Sequence, residues 1–505
     1  MSGLTVLAPL SVEAHAVRAG AAWADVHRTG MGPRRAARGA RLADGGAVLI
    51  AGFCGALDPD LEPGDVVLAS ELRGPTGTTV CPDPAVLAGV LRRGGLRVRV
   101  GPIASSQRLV VRERRRQLQR TGALVVDMES AWLAAATQAQ PLVTLRVVLD
   151  THRQELHRPL RTVAGAAIAY RVLRRASALV ETWASALGPR EVVLASPRAS
   201  CAGVVRAIEI VERVLEDRGA PVYVRKQIVH NAHVVADLED RGAIFVDEID
   251  EVPEGATVVF SAHGVSPEVR AAASERNLDV IDATCPLVSK VHAEARRYAQ
   301  AGFDIVLIGH EGHEEVEGTS GEAPERTHVI ANAEEIDGIQ VKDPSRVAYL
   351  TQTTLAIDET ADVVDALRDR FPAVVGPASS DICYATQNRQ DAVRTLAADC
   401  DLVLVVGSRN SSNSRRLVEV AQRAGCRAAL VEDGTDIDPE ILIGCRRVGL
   451  TAGASAPESL VEGALSALDG LGGVTVSERT VAHEDVHFKL PPEARGSEVI
   501  PWRSR

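Results

Sequence analysis

From Glu191 onward the chain alternates short runs of β-branched and aliphatic residues with longer stretches whose apolar positions recur every three or four residues. The runs at 191–195, 222–224, 257–260, 280–281, 305–308, 348–350, 402–406 and 428–431 predict strands, and the stretches at 204–218, 232–241, 267–276, 357–370 and 415–424 predict helices. Strands alternating with helices imply an α/β fold of parallel sheets covered by helices, with ligands at the carboxyl ends of strands. Upstream, residues 163–187 predict a helix stopped by Gly188-Pro189. That stop divides the chain into an N-terminal domain at 1–187, a second domain at 191–480 and a C-terminal tail at 481–505.

Composition narrows the classes. At 505 residues the chain is long enough for about three or four units. Aromatics are only 3% of residues, so the cores must be aliphatic. A formal charge of −11 argues against a nucleic-acid partner but not against a small anion held locally. The first residues carry no basic stretch before their apolar ones, and Glu13 interrupts them, unlike a secretory signal. No apolar run approaches the ~18 residues of a membrane span. A cytoplasmic protein is expected. Eight cysteines do not make a disulfide scaffold in a chain of this length.

Three cysteines stand in matching surroundings. Cys201 in Pro197–Gly203, Cys285 in Asp282–Pro286 and Cys383 in Asp381–Thr386 each precede a predicted helix, the first two directly after a predicted strand. A thiolate there is favoured by the helix dipole and free backbone N–H groups. Thiolates ligate iron–sulfur clusters, and three of them on a four-iron cluster leave one iron open. Their spacing predicts three α/β lobes, about 191–284, 285–382 and 383–475, each giving one cysteine to a shared centre. Cys400, Cys426 and Cys445 lack such contexts and read as core.

Histidines fall between the cysteines, in Val229-His230-Asn231, Ser261–Gly264 and Gly309–Glu315. Polar runs at 351–354, 410–414 and 451–455 follow predicted strands, as anion-binding helix N-termini do. The residues alone leave a zinc protein and a non-catalytic ligand-binding scaffold open, although no C-x2-C pair joins these cysteines. No Walker-type phosphate loop is present.

In this order, CAGVVRAI, FSAHGVS, DATCPLVSKVH, GHEGHEEVEGT, TQTTL, DICYATQNRQ, VVGSRNSSNS and TAGASAP resemble the 4-hydroxy-3-methylbut-2-enyl diphosphate reductase family from about Val192 to Leu471. The resemblance implies a trefoil of three α/β lobes around one 4Fe-4S cluster held by Cys201, Cys285 and Cys383. It implies a diphosphate held by His230, His263, Ser411, Ser412, Asn413 and Ser455, with His313 beside the same substrate. Glu315 would be the proton source and Thr353 a relay to the departing hydroxyl. Two electrons, from reduced ferredoxin or flavodoxin, would release water and give isopentenyl and dimethylallyl diphosphate, the last step of the methylerythritol phosphate route to isoprenoids. The family usually has Gly-Phe before the first ligand, where this chain has Ala199-Ser200.

The N-terminal domain carries Gly30–Pro33, Ala51–Leu57 and Val126–Ser130, in an order that resembles the nucleoside phosphorylase and nucleosidase superfamily, an α/β fold. That resemblance implies Met128 and Glu129 at a ribose and Asp150 protonating a leaving base. The family normally has Ser before that Asp and this chain has Leu149, which leaves nucleoside cleavage and a non-catalytic role both open.

Overall fold

The structure is a computed structural model that describes residues 3–43, 46–75, 77–137, 141–152 and 159–495. It divides into two compact units: Met1–Val192 with Glu432–Val448 and Glu462–Ser477, and Val193–Val431 with Gly449–Val461 and Glu478–Arg505.

The first unit is built on an eight-stranded sheet. Val48–Ala56 pairs in parallel with Leu142–Asp150, which is antiparallel to Val66–Gly74. Val98–Ser105 and Val125–Asp127 complete the path back to Val48–Ala56, so these five strands close on themselves. Closure explains why Leu142–Asp150 is buried almost throughout and reads as an apolar run apart from Thr144, Arg146 and the terminal Asp150. The helix expected at 163–187 spans Pro159–Ser185.

Three further sheets follow, the first two of them parallel throughout. One comprises Val222–Arg225, Ala243–Val246, Thr257–Phe260 and Asp279–Asp282. Another comprises Asp304–Ile308, Thr327–Ile330 and Val347–Thr351. The third has the order Arg427–Val431, Leu402–Val406, Arg447–Ala452, Arg190–Ser196, Val474–Thr480. Central strands such as Leu402–Val406 are buried at every residue, as strands covered on both faces must be. The covering helices are amphipathic: Ala202–Arg218 buries Val204, Ala207, Ile210, Val211 and Val214, one stripe at helical spacing.

Two expectations differ from the structure. The lobes are not successive thirds of the sequence, because Arg190–Ser196, expected in the first, is a strand of the third sheet. From Arg190 the chain enters that sheet, leaves to build the other two and returns. The boundary at Gly188-Pro189 is also too simple, since Glu432–Val448 and Glu462–Ser477 belong to the first unit. There the Arg93 guanidinium donates to the carbonyls of Thr435 and Ile437 at 2.9 and 3.2 Å. In the segment from 481 to 495, Ala494 is buried in the core beneath Ala202–Arg218. Residues 496–505 lie outside the described residues. Among the described residues no helix is long and apolar enough to cross a membrane.

Candidate active site

In the second unit the three cysteines are the N-cap residues of three helices, Ala202–Arg218, Pro286–Gln300 and Tyr384–Asp399. The backbone of each is fixed to a neighbouring loop or strand end. Cys201 N–H donates to Ala454 O at 3.1 Å, Cys285 N–H to Ala262 O at 3.0 Å and Cys383 N–H to Thr353 O at 3.1 Å. All three side chains line one cavity of about 110 Å³. Gly203 forms a cradle there. A Cβ on it would lie 2.8 Å from Cys285 Sγ and 3.8 Å from Cys201 Sγ, so one methyl-sized volume touches both sulfurs. Burial, with the neighbouring Cys201, pushes Cys285 up to about 12 and Cys383 up to about 11. Three soft donors at helix N-termini around one pocket suit a metal that displaces their protons.

The remaining nine residues expected in the reductase site line the same cavity: His230, His263, His313, Glu315, Thr353, Ser411, Ser412, Asn413 and Ser455. The rings of His230 and His263 stack at 4.1 Å, and His313 stands edge-on to both at 5.4 and 5.9 Å. His313 Nδ1 accepts from Glu315 N–H at 3.1 Å, so in the neutral ring the proton is on Nε2. Burial and the neighbouring His263 lower His230 to about 3 and His313 to about 4. His230 Nδ1 is buried and has no hydrogen-bond partner among the described residues. Such an atom calls for a ligand or water.

Glu314 and Glu315 are adjacent and opposite in state. Burial opposes the Glu314 charge, but its bond to His263 Nδ1 at 3.0 Å and the imidazole charges outweigh it and hold the group below its usual range. Glu315 is 2% exposed, and burial raises its carboxyl above the usual range. Its Oε1 accepts from Thr353 N–H at 2.7 Å and its Oε2 from Thr353 Oγ1 at 3.1 Å. The polar run at 410–414 begins the helix Ser412–Arg423. Ser411 caps it, Ser455 Oγ reaches Ser411 Oγ at 3.3 Å and Asn413 Oδ1 accepts from Ala454 N–H at 3.0 Å. This is a hydroxyl-rich helix N-terminus facing the histidines. Sequence reasoning missed Glu314 and Phe488, the latter a cavity-lining side chain from the C-terminal segment. His310 does not line the cavity and lies 3.4 Å from Arg416 Nη2.

The first unit holds a separate cavity of about 250 Å³ lined by Met31, Phe53, Gly55, Met128, Glu129, Leu149 and Asp150, among others. Glu129 Oε1 accepts from Gly32 N–H at 3.0 Å. Asp150 is ion-paired to Arg115, both side chains being 5% exposed. The carboxyl expected to protonate a leaving base is therefore engaged by a guanidinium. The carboxyl that sequence reasoning passed over is Glu13. It accepts from Phe53 N–H at 2.7 Å and Leu10 N–H at 2.6 Å, and burial, against Arg146, raises it to about 7. Arg115 Nε and Nη1 and Arg146 Nη1 are buried without hydrogen-bond partners among the described residues.

The sequence model of the LytB protein family matches residues 192–469, and that of the Phosphorylase superfamily matches residues 24–184. The 4-hydroxy-3-methylbut-2-enyl diphosphate reductase of Rhodococcus opacus is 58% identical over 311 residues, covering 61% of this chain and 93% of its own. The corresponding reductase 1 of Mycobacterium tuberculosis is 57% identical over 314 residues, covering 61% of this chain and 95% of its own. The solved structure of the E-1-hydroxy-2-methyl-but-2-enyl-4-diphosphate reductase of Plasmodium falciparum is similar with a TM-score of 0.58 at 38% identity, covering 61% of this chain and 97% of that one.

Proposed function

Because the chain belongs to the LytB family and is an oxidoreductase acting on 4-hydroxy-3-methylbut-2-enyl diphosphate, we propose that Cys201, Cys285 and Cys383, which line one cavity, would hold a four-iron, four-sulfur cluster. The convergence of three helix-capping cysteines on one cavity carries this reading. When bound, such a cluster supplies electrons one at a time and, with three protein ligands, keeps one iron for the substrate.

The chain's own residues do the rest. His230, His263 and His313, with Ser411, Ser412, Asn413 and Ser455, bind the diphosphate. Imidazoles and hydroxyls at a helix N-terminus donate hydrogen bonds to its oxygens without a lysine cluster. Glu315, kept protonated longer than an ordinary carboxyl by its burial, delivers a proton to the departing hydroxyl, with Thr353 Oγ1 orienting the pair. Apolar walls such as Leu287, Val288 and Phe488 exclude water around the hydrocarbon. Loss of the hydroxyl leaves an allylic fragment that takes up a proton at either end, which gives isopentenyl and dimethylallyl diphosphate together. The reaction needs two electrons, and a reduced ferredoxin or flavodoxin fits as their one-electron carrier. Eight unbridged cysteines favour a reducing compartment, the cytoplasm. Anaerobic turnover of the substrate with a chemically reduced viologen, with both products separated, tests this. Release of only one product would refute the shared allylic fragment.

For the first unit we infer cleavage of a nucleoside's N-glycosidic bond. Glu129 and Met128 face the ribose and Glu13 handles the proton, because its carboxyl lies near neutrality inside the cavity. Purine nucleosides incubated with the full chain, with and without inorganic phosphate, test this. Base release abolished by Glu13→Gln supports the reading, and release unaffected by that change refutes it.

A further inference from the structure

Each helix begun by a cluster cysteine carries one cation five or six residues further on, and none of the three serves only its own loop. Arg206, on the Cys201 helix, donates from Nη1 to the carbonyls of Ala283 and Thr284, both at 3.1 Å, and these two residues immediately precede Cys285. Lys290, on the Cys285 helix, donates from Nζ to the carbonyls of Ser379 and Ser380 at 2.9 and 3.1 Å and to Asp381 Oδ1 at 3.3 Å, just before Cys383. Arg389, on the Cys383 helix, donates from Nε and Nη2 to Ala199 O at 3.0 and 2.6 Å and from Nη2 to Arg198 O at 3.3 Å, just before Cys201. The relation is cyclic: first helix to second loop, second to third, third to first.

Local capping does not require this. Each cysteine loop already begins its helix, and a buried cation costs several kcal/mol of desolvation before its bonds offset it. Yet Arg206 is 8% exposed and Arg389 1%. The C-terminal segment closes over two of the three, with Lys489 O accepting from Arg206 Nε at 2.9 Å and Glu484 Oε1 from Arg389 Nη1 at 3.0 Å.

We propose that Arg206, Lys290 and Arg389 are positioning residues that interlock the three cysteine loops, fix the spacing of the sulfurs and set one cation beside each loop. The proposal rests on the cluster assignment above. Its chemical consequence is twofold. Loops free to spread release iron faster, and loss of a nearby positive charge makes a cluster that gains electrons harder to reduce.

Lys290 gives the most accessible test, because its side chain is 30% exposed whereas Arg206 and Arg389 are buried. Lys290→Met keeps the stem and removes the charge and its three bonds. The anaerobically purified full chain, wild type beside Lys290→Met and Lys290→Arg, is assayed for iron per chain over time in air and for the cluster's midpoint potential. The expected result is iron loss about tenfold faster in Lys290→Met, on the scale seen when residues that orient metal ligands are removed, with a more negative midpoint and recovery of both in Lys290→Arg. A lower melting temperature with unchanged iron release and midpoint would reduce Lys290 to a structural residue and overturn the proposal. Absence of iron from the wild type overturns the clasp and the cluster assignment together. An iron-loaded wild type beside an indistinguishable Lys290→Met overturns the clasp alone.

Discussion

Glu315→Gln separates proton delivery from everything else the site does. The amide keeps the side chain's volume, and its oxygen still accepts from Thr353 N–H, the 2.7 Å bond that fixes the group. At the other end, where Oε2 now accepts from Thr353 Oγ1 at 3.1 Å, the amide nitrogen donates instead. The only function removed is a transferable proton. General acid catalysis contributes about 10²–10⁴-fold, or ~2.7–5.5 kcal/mol on the barrier, so turnover should fall by that factor while iron content stays at the wild-type value. Stability should not fall with it. A carboxyl raised by burial binds more protons folded than unfolded, so it weakens the fold as pH rises above its ordinary range. The amide lacks that penalty and should melt no lower at neutral pH. The assay is anaerobic single-donor turnover with iron quantitation on the same preparations. A glutamine variant with wild-type iron and turnover within about threefold of wild type removes Glu315 from the mechanism.

Other consequences are equally direct. Gly203→Ala puts a methyl 2.8 Å from Cys285 Sγ and should sharply lower iron loading after reconstitution, read by iron analysis; normal loading contradicts the cradle. Ala199 has φ 59°, a left-handed conformation that glycine adopts freely, so Ala199→Gly should change stability by no more than about 1 kcal/mol upward, whereas a β-branched valine should cost about 2 kcal/mol or more in a denaturant melt. His230 and His313 titrate near 3 and 4 in the free protein and are neutral at pH 7, so a bound diphosphate that raises them draws in protons. Calorimetry of inorganic pyrophosphate binding in buffers of different ionisation heat should report proton uptake, with affinity falling as pH rises; no uptake contradicts protonation of these imidazoles on binding. The same two groups bind fewer protons folded than unfolded, so stability is complete above about pH 6.5 and declines as pH falls toward 4, which a pH series of melts reads.

Candidate positions were legible where the chemistry is punctuated locally, while the roles of Glu315 and Thr353 came only with the family resemblance. A cysteine before a helix, a histidine at a strand end and a run of hydroxyls at a helix N-terminus are each read within about ten residues. All twelve side chains expected in the reductase site line one cavity. What escaped depends on distant partners. Glu13 looks like an interruption of an apolar stretch until the sheet brings Phe53 N–H to it across 40 residues. Asp150 looks like a free acid until Arg115 folds onto it. The strand Arg190–Ser196 looks like the start of the first lobe, because nothing in its apolar run encodes which sheet will take it. Phe488 and Glu484 sit in a polar-looking segment whose packing is set by the surface it lies on.

The central claim is that three widely spaced thiolates share one cluster. Iron and acid-labile sulfide quantitation on anaerobically purified wild type, Cys201→Ser, Cys285→Ser and Cys383→Ser, with electron paramagnetic resonance of the reduced samples, tests it most directly. The wild type should hold about four irons and four sulfides per chain, with each serine variant losing most of them. A zinc-loaded wild type, or a serine variant that keeps the full iron content and spectrum, would contradict it.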